Sequence, residues 1–177
     1  MQLNDLLTAK DIDPKRVLVF RHTPKEPKLR KVLPWLAADK PDVYNAFQQS
    51  QWPRVEKDMQ KATYVASFIG HEAKRAVFIG LYKVGKSRPL APRAFWRIPA
   101  NAELKLFGMR GFAGERPSVL WFDLDLDEFY KEWKGKLIVR WPVPDVRWYR
   151  WAGKPKNAMP IHAILEESVL TARMPAW

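Results

Sequence analysis

Two neighbouring apolar runs constrain the fold of this chain more than any other feature. The run YVASFIG occupies residues 64–70, AVFIGLYKVG occupies residues 76–85, and the polar stretch HEAKR joins them. Short apolar runs rich in β-branched and aromatic residues, separated by a polar turn, predict a β-hairpin. Both faces of the two predicted strands are largely apolar, so we expect them to be covered on both sides or curled into a barrel. Glycines within the runs would suit bulges or bends.

Other segments predict a mixture of strands and helices. VLVFRH (17–22) predicts a first strand, and two helices follow it, because Leu29, Val32, Leu33 and Leu36 recur at helical spacing and Pro41 suits a first helical turn. Residues 86–100 contain three prolines and predict a loop around a short AFW turn, and residues 101–108 predict a short helix ending at Gly108. Further strands are predicted at 118–127, 136–141, in RWYRW (147–151) and in IHAILEES (161–168), with a helical turn in DEFYKEW (127–133).

These elements indicate an α+β fold, with a small curved β-sheet or β-barrel of six or seven strands and helices inserted after the first strand. At 177 residues the chain has the length of one domain, so we expect a single domain over residues 1–177. The sequence contains no cysteine, its N-terminus lacks the pattern of a signal peptide, and no apolar run is long enough to span a membrane. We therefore expect a cytoplasmic protein with no membrane partner. The final residues, VLTARMPAW, lead us to expect a fragment of a longer chain that continues past Trp177.

The positive charge is concentrated in two segments. The net charge is +12, and Lys74 to Arg97 contain seven Lys or Arg and no acid, while Lys134 to Lys156 contain seven with only Asp145 opposing them. A charge that only kept the protein in solution would be spread more evenly, so this distribution favours a nucleic-acid surface over a solvated face. The predicted phosphate contacts are Lys74, Arg75, Lys83, Lys86, Arg88, Arg93, Arg147, Arg150 and Lys154.

Aromatic and amide side chains supply candidates for contacts with a base. Nine tryptophans are more than a core of this size is expected to enclose completely, although Trp121 and Trp141 lie within apolar strands and are expected in the core. On the second predicted helix, three amide side chains share a face and could donate and accept at a base edge, or could belong to a hydrated helix face. The candidates for a base pocket are Asn45, Gln48, Gln49, Ser67, Phe68, Tyr82, Trp96, Trp148 and Trp151.

Catalytic patterns are sparse. The three histidines are scattered, and the chain has no glycine-rich nucleotide loop. A strand would place Asp123, Asp125 and Asp127 on one face, and the pair Glu132 and Lys134 follows in the sequence. Magnesium nucleases use carboxylates of this kind to hold their metal ion. Alternating acids on a half-exposed strand are also ordinary, so we assign no catalytic residue and no metal ligand, and we keep a metal-dependent nuclease as an alternative.

Most of the chain resembles the N-terminal region of bacterial proteins that carry a GIY-YIG nuclease domain at the C-terminus. The segments that carry the resemblance are LNDLL with VLVFRH, KVLPWLAADKPDVYNAFQQSQ, YVASFIGHE, AVFIGLYKVG, FGMRGFAGERPSVLWFDL and EFYKEWKGKLIVRWPVP, and ILEESVLTARMPAW is similar to the stretch that leads into the nuclease. The present sequence contains neither the GIY and YIG pair nor the Arg and Glu positions of that nuclease. The resemblance implies that this chain is the region that selects the target. It also implies that a divalent metal binds to the nuclease domain, which this sequence does not contain.

The hairpin followed by a basic, aromatic strand is also similar to PUA-like barrels, the group that includes the SRA, EVE and YTH domains. That resemblance is architectural, so it carries over no pocket residue. It implies a module that recognises a modified base, a substituted cytosine, in double-stranded DNA, and it leaves open whether that base is flipped out of the helix. It also implies that the module directs a fused endonuclease in modification-dependent restriction. The chain alone is not expected to be catalytic and needs no cofactor for this role, and an RNA-binding PUA-like protein is the other alternative.

Overall fold

The structure is a computed structural model that describes residues 1–23, 27–51, 53–72, 74–107, 117–141, 149–153 and 160–170. Within these residues the strands are β1 (Val17–His22), β2 (Tyr64–His71), β3 (Arg75–Leu90), β4 (Val119–Leu126), β5 (Leu137–Arg140), β6 (Tyr149–Trp151) and β7 (His162–Leu165). The helices are α1 (Leu3–Thr8), α2 (Pro27–Asp39), α3 (Pro41–Gln49), α4 (Pro53–Met59), α5 (Pro92–Arg97) and α6 (Pro99–Leu106), with 3-10 turns at Pro14–Arg16 and Glu128–Trp133. None of these described helices is both long and apolar enough to cross a membrane.

The strands form one curled, mixed sheet in the order β6-β1-β2-β3-β5-β7, with β4 pairing with β3 outside this path. Strands β1 and β2 are parallel, whereas β1 and β6, β2 and β3, β3 and β5, and β5 and β7 are antiparallel. Three helices, α2, α3 and α4, lie between β1 and β2 in the chain, where the sequence led us to expect two. The predicted α+β class, the curved sheet of six or seven strands and the helices after the first strand are therefore confirmed.

The predicted hairpin is present as β2 and β3. Its register changes between Ser67, which faces Gly80, and Phe68, which faces Phe78, so β3 contains one extra residue at this point. Such a bulge bends the strand and increases its local twist. A Cβ added at Gly80 would lie 2.8 Å from Leu126 Cδ1, so a larger residue could fit there only if the Leu126 side chain moved. A glycine therefore stands where the sequence led us to expect a bulge.

The chain divides into two compact units. Unit 1 comprises Met1–Thr23, Lys61–Lys83 and Asp125–Val169, and unit 2 comprises Pro24–Gln60, Val84–Leu124 and Leu170–Trp177. The expectation of a single domain over residues 1–177 stays a prediction.

In unit 1, alternate residues of the strands pack into a common core with α1. Val19, Ala66 and Phe78 belong to this core, as do Leu3 and Leu7 from α1. The Phe78 ring contacts those of Phe68 and Trp133 edge to face, with centroid separations of 5.4 Å and 6.0 Å. Trp141 is buried, as its position in an apolar strand predicted. Because aromatic pairs of this kind add to the free energy gained by burial, they stabilise this core.

Backbone hydrogen bonds join the N-terminus of unit 1 to β7. Leu3 N donates to Ile161 O and Ala163 N donates to Met1 O, at 2.8 Å and 2.9 Å, and Gln2 forms a β-bridge with His162. The first residues of the chain thus pair with the outer edge of the last strand, and a paired edge is less available for association with other chains.

In unit 2, α3 packs against α2 and α6, and α5 packs against α6. The Lys40 ammonium forms an ion pair with Glu103, which joins the start of α3 to α6. Trp121, on β4, is buried and contacts Phe95 of α5 with their ring centroids 6.0 Å apart. The expected core position of Trp121 is therefore confirmed.

The prediction of a loop over residues 86–100 was wrong. Strand β3 continues to Leu90, and α5 and α6 follow with short breaks. Pro92 and Pro99 begin these two helices, at positions where the backbone N–H has no intrahelical acceptor. Proline at such positions starts a helix rather than interrupting one. The predicted helix end at Gly108 lies outside the described residues.

Candidate nucleic-acid interface

The outer half of β3, residues 84–90 in unit 2, presents basic side chains to solvent. Every residue from 85 to 89 is exposed, and Lys86 and Arg88 are two residues apart and so lie on the same face of the strand. Helix α5 begins two residues after the strand ends and adds the exposed Arg93 and Arg97. We call residues 86–97 the basic segment.

Within the described residues, only one cation of the basic segment has a carboxylate partner. Arg88 Nη1 lies 3.5 Å from Asp123 Oδ1, and the two side chains are 56% and 41% exposed. An exposed ion pair of this kind contributes about 0 to 1 kcal/mol, because water and salt screen it. Lys86, Arg93 and Arg97 have no acidic partner in the part of the chain that the structure describes. The positive charge of the basic segment is therefore available to an external anion.

Trp96 of α5 is half-buried beside these cations. Its ring meets Phe95 edge to face at a centroid separation of 4.8 Å, and Lys105 Nζ lies 4.2 Å from the Trp96 ring centroid. The ammonium of a lysine is attracted to the face of an indole ring. Lys105 was absent from the predicted site, because it lies on α6 and no local sequence pattern indicates that α6 brings it to Trp96. A base stacking on that face would compete with Lys105.

The three amide candidates on α3 have different environments. Asn45 Nδ2 donates to Leu124 O at 2.9 Å, and Gln48 Nε2 donates to Asn45 Oδ1 at 3.4 Å. Gln48 is fully buried, and its Oε1 has no hydrogen-bond partner among the described residues. Gln49 is half-buried. Asn45 thus connects α3 to the backbone of β4, and Gln48 bonds to Asn45 on the same helix.

The candidates on the β2 and β3 hairpin are all buried and lie on two faces of the sheet. Ser67 faces Gly80, and Tyr82 faces Val65, so Ser67 and Tyr82 share one face. Phe68 points to the other face and belongs to the core of unit 1. The structure therefore separates Phe68 from the other two residues.

Strand β6 places Arg150 in a buried position. Arg150 pairs with Val19 and is 6% exposed, and its Nε donates to Trp151 O at 3.5 Å. Tyr149 and Trp151 are half-buried on the other side of the strand, and the Tyr149 ring meets Phe20 edge to face. The opposite orientations that strand geometry predicts for Arg150 and its neighbours are present. Arg147, Trp148 and Lys154, which were also predicted to contact nucleic acid, lie outside the described residues.

The remaining predicted phosphate contacts lie in unit 1. Lys74 and Lys83 are exposed, and Lys83 pairs with Tyr64 across the hairpin. Arg75 has two carboxylates nearby: Nη1 lies 3.6 Å from Glu72 Oε2 and Nη2 lies 2.5 Å from Glu166 Oε1. The charge of Arg75 is thus largely compensated within the protein, whereas Lys74 and Lys83 have no acidic partner among the residues that the structure describes.

The acidic residues proposed for a metal-dependent nuclease have separate contacts. Asp123 pairs with Arg88, Asp127 accepts a hydrogen bond from Phe129 N at 3.0 Å, and Glu132 lies 3.7 Å from Lys10 Nζ. Asp125 is exposed.

Lys134 is half-buried, and this burial lowers the pKa of its ammonium. Across the described ranges, no three His, Asp or Glu side chains come together in a group that could hold a metal ion. The contacts of these acids are therefore those of surface ion pairs and a helix cap.

Comparison of the chain with protein-family models, with curated proteins and with solved structures finds no match. The resemblance to the N-terminal regions of GIY-YIG nucleases therefore rests on the sequence pattern quoted above.

Proposed function

We propose that this protein binds double-stranded DNA and that the basic segment contacts the phosphates. The observation that carries the proposal is the exposure of Lys86, Arg93 and Arg97 without an acidic partner among the described residues, in a chain of net charge +12. Each phosphate that a cation neutralises releases counterions from DNA, and this release supplies most of the affinity of such surfaces. Cations that form no ion pair within the described protein suit this role better than cations whose charge a carboxylate of the protein neutralises.

The geometry of β3 supports a backbone contact. Residues two apart on an extended strand are separated by about 6.6 to 6.8 Å, since each residue rises 3.3 to 3.4 Å. Lys86 and Arg88 are two residues apart on one exposed face, so both side chains can contact the phosphates of one DNA strand at the same time.

The finer proposal is that the protein recognises a modified base, a substituted cytosine, as PUA-like readers do, and directs a fused GIY-YIG endonuclease. Its supports are the sequence resemblance and the half-buried Trp96, which lies one residue before Arg97 in the basic segment. Stacking of a base on an aromatic side chain contributes about 1 to 3 kcal/mol. A base stacked on Trp96 would displace Lys105 from the ring.

Fluorescence anisotropy with labelled duplexes tests both levels of the proposal. The probes are one duplex with plain cytosine, the same duplex with 5-methylcytosine or 5-hydroxymethylcytosine, and an RNA duplex of matched length, each over a series of salt concentrations. We expect binding that weakens as salt rises, with tighter binding to a modified duplex and a loss of that preference in Trp96→Ala.

The outcomes separate the alternatives. Equal affinity for plain and modified DNA would refute base recognition, tighter binding to RNA would favour the RNA-binding alternative, and no binding at low salt would refute the DNA proposal.

A further inference from the structure

Four basic side chains lie in register at one end of the sheet in unit 1. His71 pairs with Arg75 across β2 and β3, Arg75 pairs with Arg140 across β3 and β5, and Arg140 pairs with His162 across β5 and β7. Each residue is the first or the last of its strand. With neighbouring strands about 4.8 Å apart, these four residues form a row about 14 Å long, which we call the cationic row.

The cationic row lies on the face of the sheet opposite the core of unit 1. Side chains alternate along a strand, and the residues next to the row, Ala76, Val139 and Ala163, belong to that core. Arg140 and His162 are exposed, and the side chains of His71 and Arg75 are 35% and 31% exposed. An external ligand can therefore reach all four residues.

The carboxylates near the row compensate one end of it only. Glu72 and Glu166 contact Arg75, and Glu72 Oε1 also lies 3.7 Å from His71 Nε2. Arg140 has no acidic partner within the described residues. Two arginines directly opposite each other on neighbouring strands repel and destabilise the pair. Glu72 and Glu166 offset the charge of Arg75 in this pair. An anion bound at Arg140 and His162 would offset the charge of Arg140, which no carboxylate among the described residues contacts.

The turn beside the row holds an additional cation in an unusual backbone conformation. Glu72 and Lys74 both have positive φ, at 48° and 64°, which residues other than glycine seldom adopt. Trp141 N donates to Lys74 O at 2.7 Å and so fastens this turn to the residue that follows Arg140. Lys74 is exposed. Strained backbone conformations of this kind concentrate at functional sites.

We propose that the cationic row binds consecutive phosphate groups, with Arg140 and His162 as the principal contacts and Lys74 beside them. An arginine presents a planar fork of N–H donors that matches two phosphate oxygens, and an imidazole adds a directed N–H donor. The length of the row favours a chain of phosphates over a single small anion. That chemistry occurs both in a nucleic-acid strand and in a linear polyphosphate. The cationic row belongs to unit 1 and the basic segment belongs to unit 2.

The test measures binding of inorganic tripolyphosphate by isothermal titration calorimetry and binding of a plain DNA duplex by anisotropy. Arg140→Gln should weaken tripolyphosphate binding about tenfold or more, since a hydrogen bond to a charged group is lost. Arg140→Lys, which keeps the charge but not the fork, should retain part of the affinity. Lys136→Gln is the matched control, because Lys136 is exposed, immediately precedes β5 and is four residues from Arg140 in the chain.

The two ligands distinguish the sources of phosphate. A loss with both ligands in Arg140→Gln supports a site for a nucleic-acid strand, and a loss with tripolyphosphate alone supports a site for small polyphosphates. The tripolyphosphate measurement tests phosphate binding by the cationic row even if the DNA duplex does not bind to the protein. Equal weakening by Arg140→Gln and Lys136→Gln, unchanged binding in Arg140→Gln, or no tripolyphosphate binding by the wild-type protein would overturn the proposal.

Discussion

Removal of the uncompensated charges of the basic segment should reduce the salt dependence of DNA binding by a calculable amount. The variant replaces Lys86, Arg93 and Arg97 by glutamine, because these are the cations of the basic segment without an acidic partner among the described residues. The logarithm of the binding constant falls with the logarithm of salt concentration with a slope of about −0.9 per neutralised phosphate. If all three side chains contact phosphates, the slope should become shallower by about 2.7.

This change in slope is large enough to measure by anisotropy. Between 50 and 200 mM salt, each phosphate contact accounts for roughly a 3.5-fold loss of affinity, and three contacts account for about 40-fold. The wild-type protein should thus lose about 40-fold more affinity than the triple variant over this range. Titrations of one labelled duplex at four or five salt concentrations determine both slopes.

A second triple variant controls for net charge alone. It replaces Lys31, Lys57 and Lys61 by glutamine, three exposed lysines on α2, on α4 and just after α4. This control removes the same charge from other positions and should leave the slope close to that of the wild-type protein. If both triple variants show the same slope, the basic segment does not contact the phosphates and the argument from uncompensated charge fails.

Three further measurements test individual contacts. Asp123→Asn removes the carboxylate beside Arg88, so DNA affinity should rise about two- to fivefold in anisotropy titrations, and unchanged affinity would exclude Arg88 as a contact. Gly153→Ala would place a methyl group 2.7 Å from Lys15 N, so urea denaturation should show a loss of about 1 to 3 kcal/mol, whereas wild-type stability would contradict this close approach. Burial raises the pKa of Tyr130 to about 12, with Asp127 adding to the effect, so folding keeps the phenol neutral. The resulting stability is present below pH ~10 and about 2 kcal/mol of it is lost towards pH ~12, a loss that should be smaller in Tyr130→Phe.

The sequence predicted most of the regular structure, because local patterns determine it. Apolar runs of four to eight residues indicate strands, and the recurrence of Val32, Leu33 and Leu36 indicates a helix. The hydrophobic pattern did not predict the outer half of β3, because residues 85–89 are exposed on both faces and show no alternation of buried and exposed side chains. Strand β3 also pairs with β4, and such backbone pairing leaves no trace in the hydrophobic pattern.

The candidate site was harder to predict, since charge compensation depends on residues that are distant in sequence. In the sequence, Arg75, Arg88 and Lys86 all belong to one stretch that contains no acid. In the structure, Glu166 lies beside Arg75 and Asp123 lies beside Arg88. Such ion pairs depend on tertiary structure and cannot be read from a segment of 24 residues without an acid.

The position of Arg150 and the cationic row depend on strand register in the same way. Arg150 is buried because it faces Val19 across β6 and β1. The row arises because Arg140 is the last residue of β5 and pairs with the first residues of β3 and β7. Neither register can be derived from the spacing of charges along the chain.

The position of β1 in the sheet sets a constraint on folding during synthesis. Its two partners, β2 and β6, are reached about 40 and about 130 residues later in the chain, and the N-terminal residues pair with Ile161 and Ala163. At about 5 to 20 residues per second, a ribosome needs roughly 6 to 26 seconds after β1 to complete β6. During this interval the apolar side chains of β1 and α1 lack part of their native cover, so a nascent chain stalled before Tyr149 should bind chaperones that the completed unit 1 does not.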